Sequence, residues 1–532
     1  MPKNKQTNID LNSDFQKALD LMNNTNKNLF ITGRAGTGKS TLLTYFREHT
    51  KKKIVVLAPT GVAAVNIAGQ TIHSFFKFKP DITLQKVSKV TKDDATKNSI
   101  YKRLDAIVID EISMVRADLL DCVDKFMRLN GKDKTLPFGG TQMIFIGDLY
   151  QLPPVLTSQD KSAFAKYYAS PYFFSAHIFS PQKKLLSDTG EFNMEFIELE
   201  KIYRQKDDVF IGVLNAIRNN SITEVDIARV NARLNPSYES KPENFEIYLT
   251  TTNQMASGIN EKELAKLRTK LWTFRGQITG KFDQKILPTD ELLNVKVGSQ
   301  IMLLNNDKQG RWINGTIGKI ESIEKDEGVH IVWVELPDGT VEAVTQYTWD
   351  MYAFRYNSAR GHIESKTVGS FTQFPFKLAW AVTIHKAQGK TFERVILDIG
   401  NGTFAPGQLY VALSRCTSLE GLTLKRKISK RNVWMDWNVV KFVTQFQYDK
   451  SDEVLSFDDK VTMIEDAIEC GGKLAITYLK GSDVKSRRTI SPRRVGEMEY
   501  MGKTYMGIEA YCHSRKEDRV FRVDRILEIG VV

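Results

Sequence analysis

The sequence predicts an α/β protein with parallel sheets in two successive blocks, followed by a small β-rich unit. Three observations carry that prediction. Wholly apolar, β-rich runs alternate with helical patterns through residues 28–147, and again across roughly 186–447. Continuous apolar strands of this kind belong to sheets covered by helices on both faces. Inside the second block, residues 295–349 break into short β-rich runs at Gly, Asn-Gly and Asp-Gly turns, the pattern of a small antiparallel barrel. A chain of 532 residues has room for about three to four domains.

In the first block, residues 1–185, the runs are NLFIT (28–32), KIVVLA (53–58), LDAIVID (104–110) and TQMIFIG (141–147). Helical patterns follow the first three: STLLTYFREH, GVAAVNIA and SMVRADLLDCVDKFMRL. Residues 77–103 interrupt this alternation. They carry eight basic side chains (Lys77, Lys79, Lys86, Lys89, Lys92, Lys97, Lys102, Arg103) against three acidic ones (Asp81, Asp93, Asp94). That excess suits either a solvated loop or a nucleic-acid contact. In the second block, 186–447, EIYLTTTN (246–253) and RVILDI (394–399) are expected strands, and 405–416 and 430–446 expected helices. The barrel-like runs are an insertion in that block. YDKSDEVLSFDDK (448–460) is expected to be a polar linker, and residues 461–532 form the final unit.

Lys and Arg number 75 against 63 Asp and Glu, a formal net charge of +12. Such a balance suits a polyanionic partner, nucleic acid or an anionic membrane surface. With 42% hydrophobic and 26% charged residues, the composition excludes disordered and fibrous classes. No apolar run approaches the roughly 20 residues a membrane helix needs. The N-terminal MPKNKQTNID has no signal-peptide core. Cys122, Cys416, Cys470 and Cys512 lie far apart with no C-x-x-C pair, which excludes a disulfide framework and a cysteine zinc site. The expected location is cytoplasmic, with no membrane partner.

GRAGTGKS (33–40) fits G-x-x-x-x-G-K-[ST] between a strand and a helix. The glycines let backbone N–H groups turn inward around phosphate, at a helix N-terminus whose dipole favours anions. Gly33, Ala35, Gly36, Thr37, Gly38 and Thr41 are therefore candidate nucleotide contacts. Lys39 would reach the β- and γ-phosphates, and the Ser40 hydroxyl would bind Mg²⁺. In IVIDEISM (107–114) a carboxylate pair ends a buried strand, which is costly unless it meets a cation. Asp110 is accordingly assigned to Mg²⁺, and Glu111 to orienting and deprotonating the attacking water. Gln151, in GDLYQLPPV (147–155), is a candidate sensor of that water or of the γ-phosphate. Arg204 in LEKIYRQ (199–205) and Arg415 in YVALSRC (410–416), both expected in or near the second block, would neutralise charge on the transferring phosphoryl group. The cofactors are thus ATP and Mg²⁺.

The order of these motifs closely resembles the petite-integration-frequency family of superfamily 1B DNA helicases. The likeness rests on GRAGTGKS, APTGVAAVNIAGQTIHSFF (58–76), DEISM, PFGGTQMIFIGDLYQLPPV (137–155), YRQ, WAVTIHKAQGKTFERVILD (380–398) and QLYVALSRCTSLEGL (408–422). It spans residue 11 to about 447, with 119–144 similar to the segment that marks the family. The resemblance implies two RecA-like motor domains, a wedge insertion at 77–103 and a barrel insertion at 295–364. It implies ATP-driven 5′-to-3′ translocation on single-stranded DNA with duplex separation, acting at the nucleoid, as a monomer on DNA, with family roles in repair, recombination and telomere maintenance. Tailed or forked duplexes, a G-quadruplex and an RNA–DNA hybrid all fit as substrates. The alternative is an ATP-gated DNA-binding regulator without strand separation. By the same transfer Thr60, Gly61, His73, Ser74, Phe75, Phe76, Thr251, His385 and Lys386 belong to single-strand-contacting motifs, with the aromatic rings available to stack on bases. Gly389 falls among the nucleotide contacts.

Two positions depart from the family pattern. Where a Leu-x-x-Glu-Gln string often supplies an adenine-reading glutamine, LNSDFQ (11–16) has Phe15, with Gln16 one place later. Ala387 stands where Ser is common. Residues after 450 instead resemble a WYL domain, a small barrel, with Thr477 in place of Trp ahead of Tyr478 and Leu479. Its candidate site comprises Tyr478, Arg487, Arg488, Arg493, Arg494, Arg519 and Arg522, suited to a nucleic-acid or nucleotide ligand because guanidinium binds phosphate in two places.

Overall fold

The apolar runs of the first block pair into one six-stranded sheet, every neighbouring pair parallel. In the computed structural model, which describes residues 11–532 apart from 80, 91–99, 157–160, 162–163, 180–191, 206, 283, 285–286, 308, 327, 358–361, 482 and 501, its strands are β1 (Asn28–Gly33), β2 (Ile54–Ala58), β3 (Gln70–Thr71), β4 (Ala106–Ile109), β5 (Gln142–Ile146) and β6 (Met194–Leu199). Their order is β3-β2-β4-β5-β1-β6. The central strands β4 and β5 are buried along their whole length, as a sheet covered on both faces requires. Helices Lys39–His49, Gly61–Asn66 and Ala117–Asn130 follow β1, β2 and β4, as the sequence predicts. Helix Ser13–Asn24 adds Phe15, Ala18 and Met22 to a core of Leu29, Ile31, Leu42, Phe46, Val108 and Ile144.

One boundary moves. β6 pairs with β1 from Asn28↔Met194 to Gly33↔Leu199, so the first block runs past the expected limit at 185. β6 is an edge strand with three of its six residues only partly buried, and it lacks the continuous apolar run that marks the inner strands. Of the basic stretch 77–103, Lys92, Asp93, Asp94 and Lys97 lie outside the described residues. Lys86 pairs there with Asp81, and Lys125 ties the segment down by donating to the Leu84 carbonyl at 2.6 Å.

The second block is a four-stranded parallel sheet in the order Ala381–Thr383, Ile247–Thr250, Val395–Asp398, Leu422–Leu424. The helix expected at 405–416 is confined to Gln408–Leu413. Within 430–446, Lys430–Asn432 is a 3₁₀ turn, and the α-helix starts at Trp437 behind an Asp436 cap. The insertion is larger than 295–364. Its five-stranded antiparallel sheet runs Val341–Val344, Val329–Glu335, Ile317–Asp326, Gln300–Leu303, Phe376–Leu378. The hairpin of Leu271–Arg275 with Leu292–Lys296 shares that sheet's core through Phe274, Leu293 and Val295. No closed barrel forms among the described residues: the pairing ends at open edges.

The chain divides into two compact units, the first holding both parallel sheets and the second comprising Asn215–Thr223 with Trp434–Val532. In the second unit the expected linker at 448–460 is largely helical, within Trp437–Val454 and Phe457–Glu469. Two of its polar residues, Ser451 and Lys460, are bonded inward rather than solvated. Ser451 donates to the Leu527 carbonyl at 2.6 Å, and buried Lys460 pairs with Asp452 at 2.6 Å. Helix Phe457–Glu469 packs Ile464 and Ala467 on a five-stranded antiparallel sheet ordered Glu517–Arg522, Lys503–Cys512, Val484–Tyr500, Leu474–Lys480, Ile526–Val531. Among the described residues this sheet is open as well, so the expected C-terminal barrel is not closed there. Arg218 and Asp483, both buried, pair at 3.7 Å, and Gln447 donates to the same carboxylate at 2.8 Å. Among the described residues no helix is long and apolar enough to cross a membrane.

Candidate active site and nucleic-acid interface

The loop between β1 and helix Lys39–His49 has the backbone of a phosphate cradle. Gly36 and Gly38 adopt φ of +85° and +86°, the left-handed region that glycine enters without penalty. At Gly36 a side chain is also excluded by space, because a Cβ would stand 2.5 Å from the Cβ of Arg204. Thr37 is fully buried and its hydroxyl donates to the Arg34 carbonyl at 2.9 Å. Lys39 Nζ lies back along the loop, donating to Gly33 O at 2.7 Å and Arg34 O at 3.0 Å. Ser40 and Thr41 are exposed on the first helical turn. Phe15 packs its ring on this loop, since a Cβ at Gly38 would come within 2.9 Å of it. Gln16, one place past the family's adenine-reading position and a candidate nucleotide contact, donates instead to the Leu11 carbonyl at 2.9 Å.

Asp110 and Glu111 end β4 facing that loop. Glu111 takes φ +49°, an uncommon conformation for a residue with a side chain. Burial raises the Asp110 carboxyl above its ordinary range. Burial, and then the neighbouring Asp110 charge, push Glu111 up to about 7. Two desolvated carboxyl groups beside Lys39 form a site that a divalent cation would stabilise. With the amide nest and the Ser40 hydroxyl, this donor set fits Mg·ATP. Gln151 donates to Asp148 Oδ2 at 3.3 Å. Gln388 from the second block joins the two assigned residues, its amide lying 3.1 Å from Glu111 Oε2 and 3.1 Å from Gln151 Oε1. Gln388 is not among the residues the sequence singles out, although its neighbour Gly389 is.

The arginines meet across the same cleft from opposite sides. Arg204 follows β6 and so belongs to the first sheet, not to the second block as expected. Its guanidinium donates to Ser414 O at 3.3 Å and Gly389 O at 3.4 Å, both in the second block. Arg415, 1% exposed, donates to Val411 O at 2.9 Å, Lys390 O at 3.2 Å and Ser414 Oγ at 2.8 Å. Burial, with Arg204 as the second cause, lowers it to about 9. Helix Gln408–Leu413 can approach this closely because Gly407, φ +71°, lacks a Cβ that would fall 2.6 Å from the Gln151 carbonyl. Arg415, on which the Glu111 and Asp148 charges act, and Arg204, which lies beside Gly36 of the phosphate loop, bring two guanidinium groups to the site.

The single-strand candidates lie at the C-terminal ends of parallel strands, where open α/β sheets place ligands. Thr60 caps helix Gly61–Asn66, its hydroxyl accepting the Ala63 amide at 3.3 Å, and Gly61 is buried at the helix start. His73 is half-buried and Ser74 exposed. Phe75 and Phe76 do not serve as expected: they are 6% and 2% exposed, locked edge-to-face with Tyr101 and Phe126 in an aromatic core. Thr251 is buried beside Met255. Lys386 is exposed, and His385 stacks on Phe404 with ring centres 6.0 Å apart. Phe404 is 58% exposed, which makes it the accessible ring of this region, and no sequence motif announces it.

In the second unit the seven expected residues do not converge. Arg493, Arg494 and Arg522 pair with Asp518, Glu509 and Asp524 at 3.0, 3.1 and 2.6 Å, and Arg519 pairs with Glu517. Tyr478 packs edge-to-face on Phe521. Arg487 and Arg488 line a cleft of about 420 Å³ with Thr477, Thr489, Ser514 and Glu528. Arg488 is 8% exposed and donates to Ser486 Oγ at 3.2 Å and Cys512 Sγ at 3.5 Å. Among the described residues no carboxylate pairs with it.

Comparison with known proteins agrees with this geometry. The PIF1-like helicase family matches residues 8–226, and the WYL domain matches 459–531. The chain is 32% identical over 455 residues to the ATP-dependent DNA helicase Pif1 of Bdellovibrio bacteriovorus, covering 82% of this chain and 93% of that protein. The crystal structure of Bacteroides sp Pif1 in complex with ADP-AlF4 matches with a TM-score of 0.74 at 33% identity, over 82% of this chain and 97% of its own. Bacteroides Pif1 bound to ssDNA matches with a TM-score of 0.58 at 34% identity, over 81% and 96%. With two parallel-sheet blocks joined over one phosphate loop, the chain belongs to the PIF1-like helicases, ATP-hydrolysing enzymes that work on DNA, and it carries a WYL domain.

Proposed function

We propose that the protein uses ATP hydrolysis to move 5′-to-3′ along single-stranded DNA and to open the duplex ahead of it. The observation that carries this reading is the joint at the nucleotide site. Gln388 of the second motor domain holds the base Glu111 and the sensor Gln151 of the first, at 3.1 Å each. A change at the phosphates therefore reaches the second domain directly. Bound Mg·ATP supplies the phosphoryl group. Around it Lys39 and the loop amides hold phosphate, Ser40 and Asp110 hold the cation, Glu111 orients and deprotonates water, and Arg204 and Arg415 neutralise developing charge.

Thr60, His73, Thr251, His385 and Lys386 track the strand, and Phe404 with His385 gives bases a surface to stack on. Tailed and forked duplexes are the proposed substrates, with G-quadruplexes and RNA–DNA hybrids as further structures on the same track. In the WYL domain the cleft at Arg487 and Arg488 takes a phosphate-bearing ligand, a nucleic-acid strand or a nucleotide, because among the described residues no carboxylate pairs with the buried Arg488 guanidinium, which calls for an anion. The test is strand separation on 5′-tailed and 3′-tailed duplexes with and without ATP. ATP-dependent opening of the 5′-tailed substrate alone is expected. Opening of the 3′-tailed substrate alone would reverse the polarity, and ATP hydrolysis with neither opened would leave a DNA-bound switch.

A further inference from the structure

Helix Gln408–Leu413 sets Tyr410 against the phosphate loop from the second motor domain. The side chain is 3% exposed, and its hydroxyl oxygen accepts the Ala35 N–H at 2.9 Å. Ala35 sits inside GRAGTGKS, whose amides are the phosphate-binding groups of such a loop. A backbone amide carries one hydrogen and makes one strong hydrogen bond. Tyr410 also stands close to the two arginines of the site, Arg204 and Arg415, and Arg415 follows it five residues later, just past the end of the helix.

We infer that Tyr410 is a positioning residue for the nucleotide: its hydroxyl and a phosphate oxygen compete for the single Ala35 amide hydrogen. Phosphate at that amide and the Tyr410–Ala35 hydrogen bond then exclude each other. Phosphate binding frees helix Gln408–Leu413, with Arg415 beyond its end, from the loop, and phosphate departure lets the hydroxyl return. The competition weakens nucleotide binding and gives the second domain a direct readout of phosphate occupancy. No bond other than hydrogen bonds changes in this step.

The test uses the full-length protein and a fluorescent, non-hydrolysable ATP analogue titrated at equilibrium. Tyr410→Phe keeps the ring and removes the competing oxygen. Its dissociation constant is expected to fall by about two- to tenfold, the size of one net hydrogen bond. Site-specific replacement of Tyr410 by 4-fluorophenylalanine keeps the shape and puts a poor acceptor in place of the hydroxyl, so tightening is expected even if the Phe variant folds poorly. A hydroxyl with only a structural role would lower the melting temperature without tightening nucleotide binding. Unchanged or weaker binding in the folded variants overturns the competition. The inference rests on residues 33–40 being the phosphate site. Lys39→Ala binding the analogue as tightly as the unaltered protein would remove that assignment, whereas Lys39→Ala weakening it while Tyr410→Phe changes nothing would remove the competition alone.

Discussion

Glu111 shows how a single position combines strain, burial and charge. Its left-handed backbone turns the chain off β4, and burial beside Asp110 holds its carboxyl up to about 7. As the base it must be ionised, so kcat/KM for ATP should rise as pH increases through about 7 and level off above it. A flat profile between about pH 6 and 8 would oppose the role. Stability carries the opposite sign. Between the ordinary value of 4.5 and about 7 the folded protein keeps a proton that the unfolded chain has released, so this group's contribution declines as pH rises through that window. Glu111→Gln should keep Mg·ATP binding, since Lys39, Ser40 and Asp110 remain, while turnover falls by at least about a hundredfold. Turnover at the unaltered rate with DNA present would place the base elsewhere. Residues of this kind are legible in sequence because the chemistry fixes their spacing: Lys39, Ser40, Asp110 and Glu111 all lie at the phosphate loop or the strand end. Phe75 and Phe76 escape such reading because whether a ring faces solvent or Tyr101 and Phe126 depends on packing from distant chain segments. Gln388, Tyr410 and Phe404 are silent in sequence for the same reason, as each acts through a neighbour far along the chain.

Elements follow the same division. Inner strands such as β4 and β5 are apolar throughout and stand out in the sequence, whereas the edge strand β6 hides in a half-polar run and displaces the domain boundary. That displacement alters the argument about Arg204. Because Arg204 follows closely on the first domain's own edge strand, its Cβ can press on Gly36 while its guanidinium reaches Ser414 and Gly389 across the cleft. Replacing it with Ala should lower DNA-stimulated ATP hydrolysis at least about tenfold, as expected for a guanidinium that stabilises phosphoryl transfer. DNA binding measured without nucleotide should be spared. A variant that lost DNA binding and kept hydrolysis would assign Arg204 to the DNA track. Helix Trp437–Val454 makes the complementary point: Ser451, which looks solvated in sequence, is bonded inside the second unit.

At the scale of the whole molecule, the chain joins a two-domain motor to a unit that carries a cleft lined by Arg487 and Arg488. Composition alone spreads positive charge across six candidate arginines, but pairing with Asp518, Glu509, Glu517 and Asp524 consumes Arg493, Arg494, Arg519 and Arg522, and the sequence does not reveal which acid faces which arginine. Cutting the chain near Asp449 would sever helix Trp437–Val454 midway, so the role of the unit is better tested in the full-length protein. Arg487→Glu places the opposite charge at the cleft without touching a buried pair. If the cleft holds a DNA strand, the slope of log affinity for single-stranded DNA against log salt should become shallower by about 0.7 for each phosphate that is no longer neutralised. Arg493→Glu with Arg494→Glu, whose guanidinium groups already face Asp518 and Glu509, should leave that slope nearly unchanged. Equal losses from both variants would point to diffuse surface charge rather than a site. An unaltered slope in Arg487→Glu, together with failure to bind a free nucleotide, would make the cleft a nucleotide sensor attached to the motor.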